Sequence, residues 1–176
     1  MLNFFDMLAR TAIMDASSAI ILCKAGLQTL LAEIYDIILP ESVYREITAN
    51  PYTGSEEYKR LVAGQKVRVQ RTPDQQGMPG MAGLDTGEYD TILLFCSGLG
   101  DFIITDDGPA ARYCKKAGIP FINALLFPVV LRLAQIRDDD YCRKSMEIII
   151  EQGRYSQQVI TFAGQCRIES IAFAIP

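Results

Sequence analysis

Four acidic residues stand where a carboxylate could take part in chemistry: Asp15, Glu46, Glu88 and Asp106. Asp15 and Asp106 each follow a short apolar run that predicts a buried strand, and each precedes a helical pattern. Because the carboxyl ends of parallel strands meet at one edge of a sheet, we expect these two side chains to converge there. Glu88 lies four residues before Ile92, on the apolar stripe of its own helix, where an unpaired carboxylate is costly.

Each of these acids also has a purely structural explanation. An aspartate at a strand–helix junction, such as Asp15 or Asp106, commonly caps the helix. The spacing of Asp85 and Glu88 is that of a capping box, which would serve the helix alone. A glutamate in a short helix, such as Glu46, is most often a solvated charge. The argument for chemistry therefore depends on the four acids acting together.

Histidine is absent from all 176 residues, which limits the chemistry available. Its absence excludes the serine triad, the cysteine–histidine dyad, histidine general bases and mixed histidine–cysteine zinc sites. Carboxylates around one crevice repel one another unless cations lie between them, and Mg²⁺ prefers such oxygen ligands. An acidic metal cluster can activate water and stabilise in-line displacement at a phosphodiester. The net charge of −4 argues against nucleic-acid binding, although bound cations would neutralise part of an acidic site.

The composition is that of one globular domain spanning residues 1–176, with 49% hydrophobic and 22% charged residues. The apolar runs are too short to cross a bilayer, and residues 1–10 lack the basic start and cleavage site of a signal peptide. We therefore expect a cytoplasmic protein with no membrane partner. The cysteines are odd in number and scattered, which favours a reducing compartment; they are Cys23, Cys96, Cys114, Cys142 and Cys166.

Alternating strand and helix patterns predict an α/β fold, with a central, mostly parallel sheet flanked by helices. We predict Ser17 or Ser18 as the cap of the first helix, and a loop at residues 72–83, where proline and glycine cluster. Residues 158–176 alternate in polarity and predict a strand. The strands of the sheet itself are expected at residues 11–14, 36–39, 66–70, 102–105 and 120–122.

Four segments of the chain resemble, in order, the successive motifs of PIN-domain proteins. The segments are IMDASSAIILCKAGLQTLL, ILPESVYREI, GLDTGEYDTILL and FIITDDGPAARYCKKAGIPFIN. The resemblance covers roughly residues 11–135 and is closest to PIN-like proteins related to the toxin half of toxin–antitoxin pairs. It implies a PIN-like fold with helices on both faces of the sheet, ribonuclease activity dependent on Mg²⁺ or Mn²⁺, and frequent homodimers. Residues 136–176 would form a C-terminal extension of helix and strand with no counterpart in these motifs.

By this resemblance, Asp15, Glu46, Glu88 and Asp106 match the four family acids, catalytic and metal-binding. At the third position, Glu88 stands where many members have aspartate. Ser17 and Thr105 fall where the family often places a hydroxyl near the metal. If the motifs are shifted, neighbouring acids would take the places of Glu88 or Asp106; these secondary candidates are Asp90 and Asp107.

The function that the resemblance implies is hydrolysis of RNA phosphodiester bonds by a metal-dependent endoribonuclease. Such a protein would have RNA as its substrate and, as a toxin, an antitoxin as a further partner. The main alternative is a catalytically inactive PIN-like module that only binds RNA or protein. Phosphoryl transfer through an aspartyl phosphate is disfavoured, because Ser17 stands where such phosphatases usually place a second aspartate.

Overall fold

A computed structural model describes residues 10–49, 54–73 and 80–176, and within them the chain forms a five-stranded, all-parallel sheet. The strand order is β3-β2-β1-β4-β5. The chain begins in the centre, builds outwards through β2 and β3, and returns to the other side of β1 for β4 and β5. The strands are β1 (Thr11–Met14), β2 (Asp36–Pro40), β3 (Val67–Gln70), β4 (Phe102–Ile104) and β5 (Phe121–Ile122).

Ten α-helices surround this sheet in the described part of the chain. Several end as the sequence predicts; α6, for instance, stops at Gly118, whose φ of 69° suits glycine. The helices are α1 (Ala16–Lys24), α2 (Gln28–Ile34), α3 (Glu41–Ala49), α4 (Ser55–Ala63), α5 (Thr86–Cys96), α6 (Gly108–Ala117), α7 (Leu126–Leu133), α8 (Asp139–Gln152), α9 (Gln157–Gln165) and α10 (Ile168–Ile171), followed by a 3₁₀ turn, Ala172–Ala174.

Alternation along the strands divides the core into two layers. Ala12 and Met14 of β1 face the larger cluster, with residues of α1–α4 and of α7–α10, whereas Ile13 between them faces the opposite side. In β4, Ile103 likewise joins the side covered by α5 and α6. Because successive side chains of a strand point to opposite faces, both faces are apolar and both must be covered. The structure thus confirms the α/β fold, with a parallel sheet covered by helices on both faces.

The parallel sheet is confirmed with strands close to the predicted positions, but two local predictions are wrong. A strand was expected at residues 158–176, but this segment forms most of α9, α10 and the 3₁₀ turn. These residues are helical because one side of the helices packs on the larger core cluster through Ala163 and Ile171. The cap of α1 is Asp15, which accepts a hydrogen bond from the Ser18 backbone at 2.8 Å, so neither Ser17 nor Ser18 holds that position. Of the predicted loop, residues 74–79 lie outside the described residues, as do residues 1–9 of the N-terminal segment.

No single helix among the described residues is long and apolar enough to cross a membrane. The consecutive helices α1 and α2 reach such a length and apolar composition only when taken together, and they are bent by 115° relative to each other. All five cysteines lie in the described part of the chain and are free.

Candidate active site

The order of the strands reverses between β1 and β4, because the chain adds β2 and β3 on one side of β1 and β4 and β5 on the other. An acidic crevice of about 270 Å³ opens near the carboxyl end of β1. In open parallel sheets this switch point is where ligands bind, because the connections leave it on opposite faces. The backbone N–H of Asp15 donates to Ile104 at 3.1 Å, which brings Asp15 beside the end of β4. The residues that line the crevice are Asp15, Ala16, Ser17, Ile20, Glu46, Asp85, Gly87, Glu88 and Asp107.

Asp15 is buried at the base of the crevice and held by hydroxyl and backbone donors. Thr105 Oγ1 donates to its Oδ2 at 2.5 Å, Ser17 Oγ lies 3.0 Å from both carboxylate oxygens, and the Ser18 N–H donates to Oδ1. Burial raises the pKa of Asp15 to about 6; the hydrogen bonds from Thr105 and Ser18 lower it, and the charge of Asp106 adds to the rise. Asp15 is therefore both the helix cap and a buried carboxylate that lines the crevice.

Glu46 and Glu88 come from α3 and α5, which approach closely at Gly87. A Cβ on Gly87 would lie 3.2 Å from Val43 Cγ2 and 3.5 Å from Glu46 Oε2, so glycine keeps the two helices together there. Partial burial raises the pKa of Glu46, and the Asp85 carboxylate raises it further. The α3–α5 contact thus places two acids on the wall of the crevice.

Glu88 closes the predicted capping box and also lines the crevice. Its backbone N–H donates to Asp85 Oδ1 at 2.9 Å, and its Oε2 accepts from the Asp85 N–H at 3.1 Å. Burial raises the pKa of Glu88 to about 7; the Asp85 backbone bond opposes this rise, and the adjacent Asp107 carboxylate adds to it. Capping and a place in the crevice are therefore compatible for this residue.

The two aspartates of the TDD motif take different positions. Asp107 caps α6, accepting from the Ala110 N–H at 2.7 Å, and its side chain lines the crevice beside Glu88. Asp106 lies behind the crevice wall, where its Oδ2 accepts from Ser18 Oγ at 2.8 Å and from the Ala124 N–H at 2.9 Å. Consecutive residues in extended backbone point to opposite sides, which separates the two carboxylates.

A tyrosine from the C-terminal segment completes the surroundings of Asp106. The Tyr155 hydroxyl donates a hydrogen bond to Asp106 Oδ1. Burial raises the pKa of the Tyr155 phenol, and the Asp106 carboxylate raises it further, so the phenol stays protonated and donates. Burial also raises the pKa of Asp106, whereas the hydrogen bonds from Tyr155, Ala124 and Ser18 lower it. Both oxygens of Asp106 are thus engaged within the protein.

The remaining secondary candidate, Asp90, lies elsewhere. Its carboxylate accepts a hydrogen bond from Ser42 Oγ, and it lines a separate groove of about 310 Å³ that also contains Arg45 and Arg71. Sequence reasoning treated Asp85 only as a cap and gave no role to Tyr155. The sequence could have indicated Asp85 as a crevice residue, since it lies three residues before Glu88 in the same motif. No spacing rule connects Tyr155 to an acid 49 residues away.

The crevice offers carboxylate and hydroxyl oxygens as potential metal ligands, and hard divalent cations prefer oxygen ligands. The pKa values of Asp15 and Glu88 are raised by burial and by neighbouring carboxylates. A bound cation would offset this repulsion between the acids. In the described ranges, however, no three carboxylate side chains lie close enough together to hold one ion. Closing the site around a metal would require side-chain movement, which the rotatable glutamate side chains permit.

The chain is thus an open, all-parallel α/β domain with an acidic crevice at the switch point, which is where ligands bind in domains of this class. The chain belongs to the PIN-domain family: a family model described as PIN domain matches residues 11–163. The fold is accordingly of the nuclease type. The matched range runs past residue 135 and includes α8 and most of α9.

One solved structure that resembles the chain is a domain of a functionally unknown protein from Methanocaldococcus jannaschii DSM 2661. The two share 20% sequence identity, the match covers 65% of this chain and 91% of that one, and the TM-score is 0.43. None of the curated proteins matches the sequence.

Proposed function

We propose that the chain is a metal-dependent endoribonuclease that hydrolyses RNA phosphodiester bonds in the acidic crevice. The observation that carries the proposal is the convergence of Asp15, Glu46, Glu88 and Asp107 on one crevice at the switch point of a PIN domain. The raised pKa values of Asp15 and Glu88 support it, because perturbed carboxylates cluster at functional sites.

In this proposal Asp15, Glu46 and Glu88 hold Mg²⁺ or Mn²⁺, and Asp107 takes the fourth place, which the motif comparison gave to Asp106. Once bound, the metal supplies activated water and stabilises charge on the displaced oxygen. The protein's own contribution is to fix the carboxylates. Thr105 and Ser17 orient Asp15 through their hydroxyls, and in the capping box the Asp85 N–H holds one carboxylate oxygen of Glu88.

The wider role is part of the same proposal. The chain acts in the cytoplasm on RNA, as the toxin of a toxin–antitoxin pair, with an antitoxin as its partner and a homodimer as its working form. The free cysteines support a reducing compartment. The toxin role rests on the likeness of the sequence motifs to toxin-related PIN proteins.

The test is a cleavage assay on single-stranded and structured RNA with Mn²⁺, Mg²⁺ or EDTA. We expect cleavage with either metal and none with EDTA. Restoring Mn²⁺ to the EDTA-treated protein should restore cleavage, which distinguishes metal removal from inactivation. Cleavage that persists in EDTA would contradict the metal-dependent mechanism.

The choice of Asp107 as the fourth acid gives a separate prediction. Asp107→Asn keeps a capping oxygen for the Ala110 N–H but removes a charge from the crevice. We expect a loss of activity of about 10-fold or more, since each ~1.4 kcal/mol of transition-state stabilisation is tenfold in rate.

Two controls accompany this variant. Asp138→Asn makes the same change at the cap of α8, away from the crevice, and Asp90→Asn removes the acid beside Ser42. Both should alter activity by about twofold at most, as expected for changes outside a site. If Asp90→Asn abolishes activity and Asp107→Asn does not, the assignment of the fourth acid is wrong.

A non-catalytic module that only binds RNA or protein is the second candidate. The observation that favours it is Asp106, whose oxygens are engaged by Tyr155, Ser18 and Ala124 and are not turned towards the crevice. Such a module would bind RNA equally well with and without metal and would leave the RNA intact.

A further inference from the structure

The turn between α8 and α9 brings one side chain of the C-terminal segment to the acidic site. Tyr155 is half-buried there, and its hydroxyl donates to Asp106 Oδ1. The turn is fixed from both ends, because α8 packs on α1 and α7, and Ser156 caps α9. Tyr155 is therefore held in place by the fold and is not a free surface side chain.

Asp106 connects this tyrosine to the base of the crevice. Its second oxygen accepts from the Ser18 hydroxyl at 2.8 Å, and the backbone N–H of the same Ser18 donates to Asp15 Oδ1 at 2.8 Å. Tyr155 is thus linked to Asp15 through Asp106 and through Ser18, whose hydroxyl and backbone N–H each bind one of the two aspartates. The Ala124 N–H adds a fixed donor to the same carboxylate at 2.9 Å.

The backbone beside Tyr155 is shaped to admit its ring. A Cβ on Gly153 would lie 2.3 Å from Cε2 and 2.9 Å from Cζ of Tyr155. Any larger residue at position 153 would displace the ring and with it the hydroxyl that reaches Asp106. The absence of a side chain at Gly153 therefore allows the Tyr155 hydroxyl to reach Asp106.

We propose that Tyr155 is a positioning residue of the crevice, which acts through Asp106 and Ser18 to fix Asp15. This inference rests on the proposed function, because Asp15 is the carboxylate to be fixed for the metal. Tyr155 and Ser18 each hold one oxygen of Asp106 through a hydroxyl, and Ser18 also holds Asp15 through its backbone N–H, so the position of Tyr155 is linked to that of Asp15. It gives the C-terminal segment a role in the site and not only in the core.

The first test removes the hydroxyl alone. For Tyr155→Phe we expect Mn²⁺ affinity and kcat to fall by about 10-fold, the low end of the range for residues that orient a metal ligand, because Tyr155 reaches Asp15 only through Asp106 and Ser18. The KM for RNA should change little. Mn²⁺ affinity is measured by equilibrium titration without RNA. The control is Tyr141→Phe, an exposed tyrosine on α8, which should match the parent protein in both measurements.

The second test moves the ring and keeps the hydroxyl. Gly153→Ala should reproduce the loss in Mn²⁺ affinity, whereas Gly164→Ala should not, since nothing lies within 4 Å of a Cβ added at Gly164. In thermal unfolding, Tyr155→Phe and Asp106→Ala, which removes the acceptor altogether, should be non-additive. The double variant should lose less Tm than the sum of the single losses, because both changes break one contact.

The outcomes separate this inference from the proposed function. If the parent protein neither binds Mn²⁺ nor cleaves RNA, the proposed function fails and the inference fails with it. If the parent is active but Tyr155→Phe only lowers the Tm and leaves Mn²⁺ affinity and kcat unchanged, the residue is merely structural and the inference alone is wrong. Additive losses of Tm would also overturn it.

Discussion

Asp15→Asn should reduce RNA cleavage by about 100-fold or more, since losing a metal ligand removes several kcal/mol of transition-state stabilisation. Stability should change little. Asparagine caps helices as well as aspartate, and its oxygen can still accept from the Ser18 N–H. The substitution also removes a buried carboxylate whose pKa is raised to about 6, and so a group whose ionisation opposes folding. Cleavage rate and Tm measured on the same preparations test both parts.

The matched control for this variant is Asp138→Asn, which changes the N-cap of α8 in the same way. It should keep the activity of the parent protein. Mn²⁺ should raise the Tm of the parent and of Asp138→Asn by mass action, and that of Asp15→Asn much less. An Asp15→Asn protein that unfolds like the parent and cleaves RNA at the parent's rate would remove Asp15 from the mechanism.

The largest effect on stability is expected for Phe102→Ala. Phe102 is fully buried in β4, with ring centroids 5.2 Å from Tyr35 and 6.0 Å from Phe173. Truncation leaves a cavity under the C-terminal segment and should cost about 3–5 kcal/mol of unfolding free energy. For a chain of this size that corresponds to a fall in Tm of about 6–20 °C. Thermal and denaturant unfolding followed by circular dichroism measure it.

Phe162 on α9 provides the matched control, because its side chain is 48% exposed. Phe162→Ala should change the unfolding free energy by about 0.5 kcal/mol at most. If Phe102→Ala costs no more than Phe162→Ala, the C-terminal segment does not pack on the sheet as described.

The sheet could be predicted because its strands carry strong local signals. The central strands are short, nearly continuous apolar runs, and this continuity follows from burial on both faces. The C-terminal helices could not be predicted in the same way. Short amphipathic helices such as α9 owe their stability to the core they cover, and this is not visible in their own residues.

The candidate site shows a similar limit. The motifs indicate which acids gather at the strand ends, but they do not distinguish Asp106 from Asp107, since one residue of shift reverses the direction of a side chain. Tertiary contacts separate the two side chains: the Ser18 hydroxyl and the Ala124 N–H engage Asp106 behind the wall, whereas Asp107 lines the crevice. Tyr155 was beyond prediction for the same reason, because its contact with Asp106 depends on how α8 packs against α1.

The central claim is that the crevice acids bind a divalent cation for RNA hydrolysis, and equilibrium titration of Mn²⁺ by electron paramagnetic resonance tests it most directly. We predict saturable Mn²⁺ binding by the parent protein and by Asp138→Asn. Binding should be strongly weakened in Asp15→Asn and Glu88→Gln, and Mg²⁺ should compete for the same sites. If the folded parent binds no Mn²⁺, or if the two crevice variants bind it as tightly as the parent, the account is contradicted.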